Sequence, residues 1–430
     1  MPEELLRGSR LGKYEIHGRL SAGGMAELYL ASLAGQGGFR KFVALKRVLP
    51  SIAQDEAFTR MFLDEARITA ALSHAAIAQV YELAEDPETH EPMLAMEYIA
   101  GQNLEQIVKR ARSRGIVLPP EFTCRLAHDV LIALQSAHAF IDPATGRAME
   151  VVHRDINPRN VMVTYTGGTK IVDFGIAKAR GRLHQTQVGF VKGTLQYMAP
   201  EQVTAKSVDG RTDLFAASIL FHELLTGRRL FDSASEVETM TRVASSDVPD
   251  LAQVVPSLPP ALAAAVMKGL EQSPDRRWQT AREYARAIDR ALPEVFDEQQ
   301  MADLMHRLFE DKIAVTRTML SGGQATLADL KLISKKGDSD TQAMPLVTAP
   351  ARPPLSSQLT EMNLDPVPVH SFVSRRKTPA WVYVMAALTA LAGLVMMTAL
   401  VLLMLRPSTR ARSNVGAQST SPLAGINEGP

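Results

Sequence analysis

The 430-residue sequence has one cysteine, two tryptophans and almost no charge of either sign in excess, with 47 Lys and Arg against 46 Asp and Glu. A single thiol cannot form an intramolecular disulfide framework or a thiolate metal cage, so most of the chain is built for a reducing compartment. Cys124 falls in a helical run from Phe122 to Phe140 and reads as a small buried hydrophobe rather than a reactive thiol. A net charge of +1 gives no global attraction for polyanions, and no nucleic-acid partner is expected. Met1 to Leu20 lacks an apolar stretch of the signal-peptide kind, being interrupted by Glu3, Glu4, Arg7, Arg10, Lys13, Glu15 and Arg19, which predicts a cytosolic N-terminus. The sequence also lacks an internal repeat, which excludes solenoids and propellers. Its histidines, among them His74, His128, His138, His153, His184 and His222, form no ligand-like pair with a nearby carboxylate, so no zinc is expected.

What is present begins with 46% hydrophobic residues, enough for a large core. Tyr14 to Leu20, Glu27 to Ala31, Phe42 to Val48 and Met93 to Glu97 read as strands, and Leu126 to Phe140, Leu214 to Leu225, Ala261 to Leu270 and Ala281 to Leu292 as helices. A small sheet-rich half followed by a larger helical half predicts an α+β fold. The domain is assigned to 14–292, followed by a helical extension over 293–321 whose packing is left open and a flexible Pro/Ser/Thr-rich linker over 322–378. Residues 380–405 carry no charge; a helix of that length spans about 39 Å against roughly 30 Å of hydrocarbon. A single transmembrane helix is therefore predicted, with a short tail over 406–430. Flanking charges do not orient it, because Arg375, Arg376 and Lys377 are matched by Arg406, Arg410 and Arg412. Transport through one span is disfavoured, since only Thr389 and Thr398 are polar.

Between the first two strands, Leu20-Ser21-Ala22-Gly23-Gly24-Met25-Ala26-Glu27-Leu28 forms a glycine-bearing hairpin that can bring backbone close to a polyanion. Lys46 ends the hydrophobic run Val43-Ala44-Leu45 and needs a fixed counter-ion. Glu65 lies on a helical stripe with Phe58, Phe62, Thr69 and Leu72, where a carboxylate needs a cation. Pairing the two would hold the helix to the sheet. Farther along come Val152-His153-Arg154-Asp155-Ile156-Asn157-Pro158-Arg159-Asn160, Asp173-Phe174-Gly175 and Gly193-Thr194-Leu195-Gln196-Tyr197-Met198-Ala199-Pro200-Glu201.

In the order and spacing of these segments the sequence resembles the eukaryotic-type protein kinase family, in particular its membrane-anchored bacterial Ser/Thr kinase branch, from about Tyr14 to Leu292. The resemblance implies a bilobal fold with a β-rich N-lobe and a helical C-lobe, and the cofactors ATP and Mg²⁺, for which Mn²⁺ could substitute. Asp155 would accept the substrate hydroxyl's proton, and Asn160 and Asp173 would hold the metal. Lys46, fixed by Glu65, would position the α and β phosphates. Leu20, Ser21, Gly23, Gly24, Leu28 and Ala44 would surround the nucleotide, with Met96 at the gate of the adenine pocket and the backbone of Glu97 to Ile99 along the base. His153 and Arg154 would support the catalytic loop, Asp213 would cap its backbone, and Glu201 would pair with Arg277. Thr186 stands where related kinases autophosphorylate, with Arg154 as the receiver of its phosphate. Thr194 could hydrogen-bond Asp155, and with Pro158 it matches the Ser/Thr-specific pattern.

Two departures open an alternative. Ser21 and Ala26 replace the outer glycines of the phosphate loop, and Asn157 stands where the family usually places a lysine against the transferring phosphate. One missing electrostatic donor costs on the order of 3 kcal/mol in comparable settings. A membrane-tethered Ser/Thr kinase, with the domain in the cytoplasm and the tail outside, is the leading expectation; a pseudokinase scaffold is the alternative. Protein substrates, a lipid bilayer and a homodimer for autophosphorylation are the expected partners.

Overall fold

The computed structural model describes residues 8–23, 26–86, 89–174, 195–233, 235–293 and 296–321, with the side chains of Ser51, Ala57, Met61 and Glu65 outside that description. Alternating side chains set the first sheet. Strands β1 (Arg10–Leu11), β2 (Tyr14–Ala22), β3 (Ala26–Ala34), β4 (Arg40–Val48), β5 (Val80–Glu85) and β6 (Pro92–Glu97) lie antiparallel in the order β1-β2-β3-β4-β6-β5. Val43 and Leu45 of β4 join Tyr14, Ile16, Tyr29 and Ala95 in one apolar cluster. Ala44 and Val48 point the other way, onto Phe62 and Ala66 of helix α1 (Glu56–Ala71). Lys46 shares the parity of Ala44 and Val48, so the two-residue period of a strand sends it to the helix side.

The predicted strands are each present and extend by one to three residues at their ends. Strand β5 escapes sequence reading because a register shift between Val80 and Glu82 breaks its alternation. A second, three-stranded sheet, β7 (Gly101–Asn103), β8 (Val161–Thr164) and β9 (Thr169–Ile171), follows the hinge at residues 98–100.

The longer helices of the second lobe are α2 (Leu104–Ser113), α3 (Pro120–His138), α4 (Gly210–Thr226), α5 (Glu236–Ser245), α6 (Pro260–Gly269), α7 (Ala281–Ala291) and α8 (Glu298–Leu320). Their starts follow from capping chemistry. The side chains of Asn103, Asp209, Ser235 and Thr280 accept backbone N–H groups of the first turns of α2, α4, α5 and α7, and Asp297 forms a capping box with Gln300 at α8. Gly227 ends α4 in the left-handed region at φ 66°, which a Cβ would disfavour. α3 and α4 are buried along most of their length and organise one large core with Tyr284 and Ile288 of α7. Cys124 lies inside it, and burial pushes its thiol up to about 12. This bilobal arrangement is the predicted α+β class.

Among the described residues no helix is long and apolar enough to cross a membrane. The linker, the uncharged run 380–405 and the tail lie outside the described residues.

Candidate active site

The site lies where the two lobes meet, and its catalytic loop is hung from a buried carboxylate. Asp213, in the first turn of α4, is completely buried; its Oδ2 accepts the backbone N–H of His153 at 2.8 Å and its Oδ1 that of Arg154 at 2.7 Å. The His138 Nε2 donates to the same Oδ2 at 2.8 Å. These bonds hold Arg154 at φ 65°, a left-handed conformation that costs a non-glycine residue about 1–3 kcal/mol. The Arg154 carbonyl accepts from Gln202 Nε2 at 3.1 Å, so the strained residue is fixed at both backbone ends.

His153 is fully buried, and desolvation holds its imidazole below the usual histidine range. Neutral, it donates from Nε2 to the Val172 carbonyl at 3.2 Å and accepts at Nδ1 from the Asp155 backbone N–H at 3.2 Å. Its ring packs on Phe174 with centroids 4.5 Å apart, tying the loop to the Asp-Phe-Gly segment.

The Asp155 carboxylate is oriented by Asn160, whose Nδ2 donates to Asp155 Oδ2 and to the Asp155 carbonyl, both at 2.9 Å. That use of the amide nitrogen leaves Asn160 Oδ1 as an oxygen donor. Asp173, also at positive φ (56°), keeps 44% of its side chain exposed and accepts from Lys46 Nζ at 3.0 Å. A carboxylate and an amide oxygen are the donor chemistry that a hard divalent cation selects, so the residues fit Mg²⁺.

Asn157 does something other than face a phosphate. Its Nδ2 donates to the Asp155 carbonyl at 3.0 Å and its Oδ1 accepts the Arg159 N–H at 2.9 Å, so both ends of the amide are spent on the loop's own backbone. Arg159 pairs with Glu105 of α2, Nε lying 3.2 Å from both carboxylate oxygens, rather than substituting for a catalytic cation.

On the nucleotide side, Leu20 and Leu28 flank the hairpin and join Ala44 and Met96 in one apolar cluster. Ser21 pairs with Leu28 in the ladder, and the Gly23 N–H donates to the Ala26 carbonyl at 2.9 Å. Arg19 and Glu27 form an ion pair at 3.0 Å across the hairpin's base. The Glu97 N–H is committed to Gln79 O at 2.8 Å, so of the predicted adenine edge that one donor is already used. A cavity opens behind Lys46, bounded by Phe62, Thr69, Met96, Asp173 and Phe174. Its further walls, Ala78, Val80, Leu94 and Val172, were not legible in sequence because nothing but their place in the fold marks them.

Glu201 Oε1 and Oε2 take Arg277 NH1 and NH2, each at 2.8 Å, and Thr212 Oγ1 adds a third bond at 2.8 Å. Burial alone would raise the Glu201 carboxyl, but these donors outweigh it and hold the group below the usual carboxylate range. Of the other predicted residues, Gly24, Thr186 and Thr194 lie outside the described residues, as does the Glu65 side chain; the Glu65 backbone is in α1.

A protein kinase domain family model matches residues 14–312, past the predicted boundary at 292 and into α8. The chain is 38% identical over 283 residues to the tyrosine-protein kinase MasK of Myxococcus xanthus, covering 66% of this chain and 43% of MasK. It is 33% identical over 275 residues to the serine/threonine-protein kinase PknB of Mycolicibacterium smegmatis, covering 63% of this chain and 41% of PknB. The chain thus spans less than half the length of these curated relatives. Among solved structures, the kinase domain of Mycobacterium tuberculosis PknI is similar at 28% identity and a TM-score of 0.51, over 67% of this chain and 98% of that one.

Proposed function

Because the chain belongs to the protein kinase family, we propose that it transfers the γ-phosphate of ATP to serine and threonine hydroxyls of protein substrates, with Asp155 as the base. The observation that carries this reading is the concentration of oriented groups on one loop: Asp155 is held by Asn160, and the loop's backbone by Asp213. Asp155 Oδ accepts the hydroxyl proton while the aligned oxygen attacks the γ-phosphorus and the bond from that phosphorus to the β-phosphate oxygen breaks, releasing ADP, a reaction driven by positioning and charge stabilisation. Lys46 Nζ, paired with Asp173, is the ammonium that would meet phosphate oxygens of the bound nucleotide. Mg²⁺, when bound with ATP, neutralises charge on the phosphates, and Asp173 with Asn160 Oδ1 would hold it.

The same reading places Thr186 as an autophosphorylation site and residues 380–405 as a membrane anchor, with the kinase domain in the cytoplasm where ATP is found. Support for the anchor is the uncharged 26-residue run itself. The name of the Myxococcus relative makes tyrosine the rival acceptor.

The test is the full chain in detergent with Mg-ATP and a generic basic protein. Phosphoserine or phosphothreonine should form, and Asp155→Asn should abolish it; phosphotyrosine alone would transfer the assignment to tyrosine. A chain that binds Mg-ATP without any transfer would be the scaffold alternative.

A further inference from the structure

We infer that α8 is a clasp across the hinge and that Met319, near its end, is a positioning residue for nucleotide binding; this rests on the ATP-dependent reading above. The helix has two arms. Its first buries Met301, Met305 and Leu308 against the helical lobe, and the chain just before it sets Phe296 edge-on to Phe122 of α3. The fit there is close, because a Cβ on Gly167 in the β8–β9 turn would lie 2.0 Å from the Glu298 carbonyl.

At Phe309 the helix breaks its regular geometry, with φ −134° and ψ 33°. The break is held from the C-terminal end of α2 and its cap. Arg110 Nε donates to the Leu308 carbonyl at 3.0 Å, Arg114 donates to the Arg307 carbonyl, and Arg110 NH2 takes both oxygens of Asp311 at 2.8 Å. Two carbonyls that a straight helix would keep for itself are thus satisfied by arginines, and the second arm is re-aimed.

That second arm leaves the helical lobe. Lys312 Nζ donates to Gln102 Oε1 at 3.1 Å just past the hinge, and Thr316 is buried beside the phenols of Tyr98 and Tyr165. Val315 and Met319 then pack with Leu30, Phe42, Tyr98 and Leu20. Leu20 is the link to the site, for it also belongs to the cluster with Ala44 and Met96 that walls the nucleotide cleft. Tyr98 lies between Glu97 and Ile99, the segment expected along the base. One helix therefore fixes the hinge and one wall of the cleft relative to the helical lobe. Losing that hold lowers the fraction of molecules whose lobes are aligned, and apparent affinity falls by the same fraction.

The experiment compares initial rates against ATP concentration for the full chain in detergent, wild type beside Met319→Asp, Met319→Leu and Val243→Ala, the last a destabilised control in the core of α5. Met319→Asp should raise KM for ATP about five- to tenfold with kcat changed less than about twofold, as expected when alignment rather than chemistry is lost. Met319→Leu should restore the wild-type KM, and Val243→Ala should leave KM unchanged. An unaltered KM in folded Met319→Asp, or an equal rise in Val243→Ala, overturns the clasp. Should Met319→Asp fail to fold, Met319→Ala and Val315→Ala take its place under the same criterion. A wild type that does not bind Mg-ATP would instead overturn the kinase reading.

Discussion

Asp213 is wholly buried and spends both its oxygens on the backbone of the catalytic loop and on His138, whereas Lys46 and Asp173 form an ion pair that stays 24% and 44% exposed. The first arrangement fixes Asp155 before any substrate arrives, with Glu201 and Arg277 anchoring the segment beyond it inside the helical core. The second is a pair in partial contact with water, which exchanges partners at small cost when phosphates enter. Groups that must direct a proton are rigid; groups that must follow a nucleotide are replaceable. The two sides of the cleft should therefore respond to mutation in different currencies, stability on one and turnover on the other.

The largest effect that would break this comparison is at the buried pair. Arg277→Met leaves Glu201 charged and uncompensated, and should cost about 3–5 kcal/mol in chemical denaturation. The pH dependence sharpens it. In the wild type the Glu201 carboxyl is held below its unfolded value, so its stabilisation is present above about pH 4.3 and is lost as pH falls through that region toward the folded pKa. Without Arg277 burial dominates and the folded carboxyl titrates above its unfolded value, so the variant should lose stability as pH rises instead. Denaturation curves for the two proteins should converge toward low pH; parallel curves would show that the pair is not the anchor.

Lys46→Met comes next and should behave oppositely. Removing its charge from the phosphates costs on the order of 3 kcal/mol in turnover, roughly a hundredfold or more. The exposed partner Asp173 regains water, so melting should move by less than about 1 kcal/mol equivalent. A large loss of stability in this variant would place the lysine in the architecture and erase the contrast.

Sequence carried most of one side and less of the other. The strand parity of Val43, Ala44 and Leu45 already directs Lys46 toward α1, and the order of His153, Asp155, Asn160 and Asp173 is what a catalytic loop needs. Spacing alone says nothing about which atom bonds which. That Asn160 reaches Asp155 and that Arg159 is absorbed by Glu105 depend on contacts between residues distant from the motif or on rotamers within it. The role of α8 was left open for the same reason: its stripe announces a buried face, but Leu30 and Leu20, which receive Met319, are nearly 300 residues away in the chain. The kink at Phe309 has no proline or glycine to mark it, since it is held by Arg110 in the last turn of α2 and Arg114 at its C-cap.

The smallest predicted effect tests whether the rigid side needs all its braces. Asn157 was read as a weakened catalytic donor, yet its amide bonds Asp155 O and the Arg159 N–H, closing the loop on itself. Replacing it by alanine removes two largely buried neutral hydrogen bonds, each contributing about 0.5–1.5 kcal/mol, and kcat should fall roughly fivefold to tenfold as Asp155 loses definition. Asn157→Lys breaks the same bonds but brings a cation near the phosphoryl oxygens, so it should recover part of that loss. The order wild type, lysine, alanine in kcat is what a brace predicts. Lysine above wild type would show that missing charge, not loop geometry, limits turnover, and alanine equal to wild type would show that Asp213 holds the loop without help.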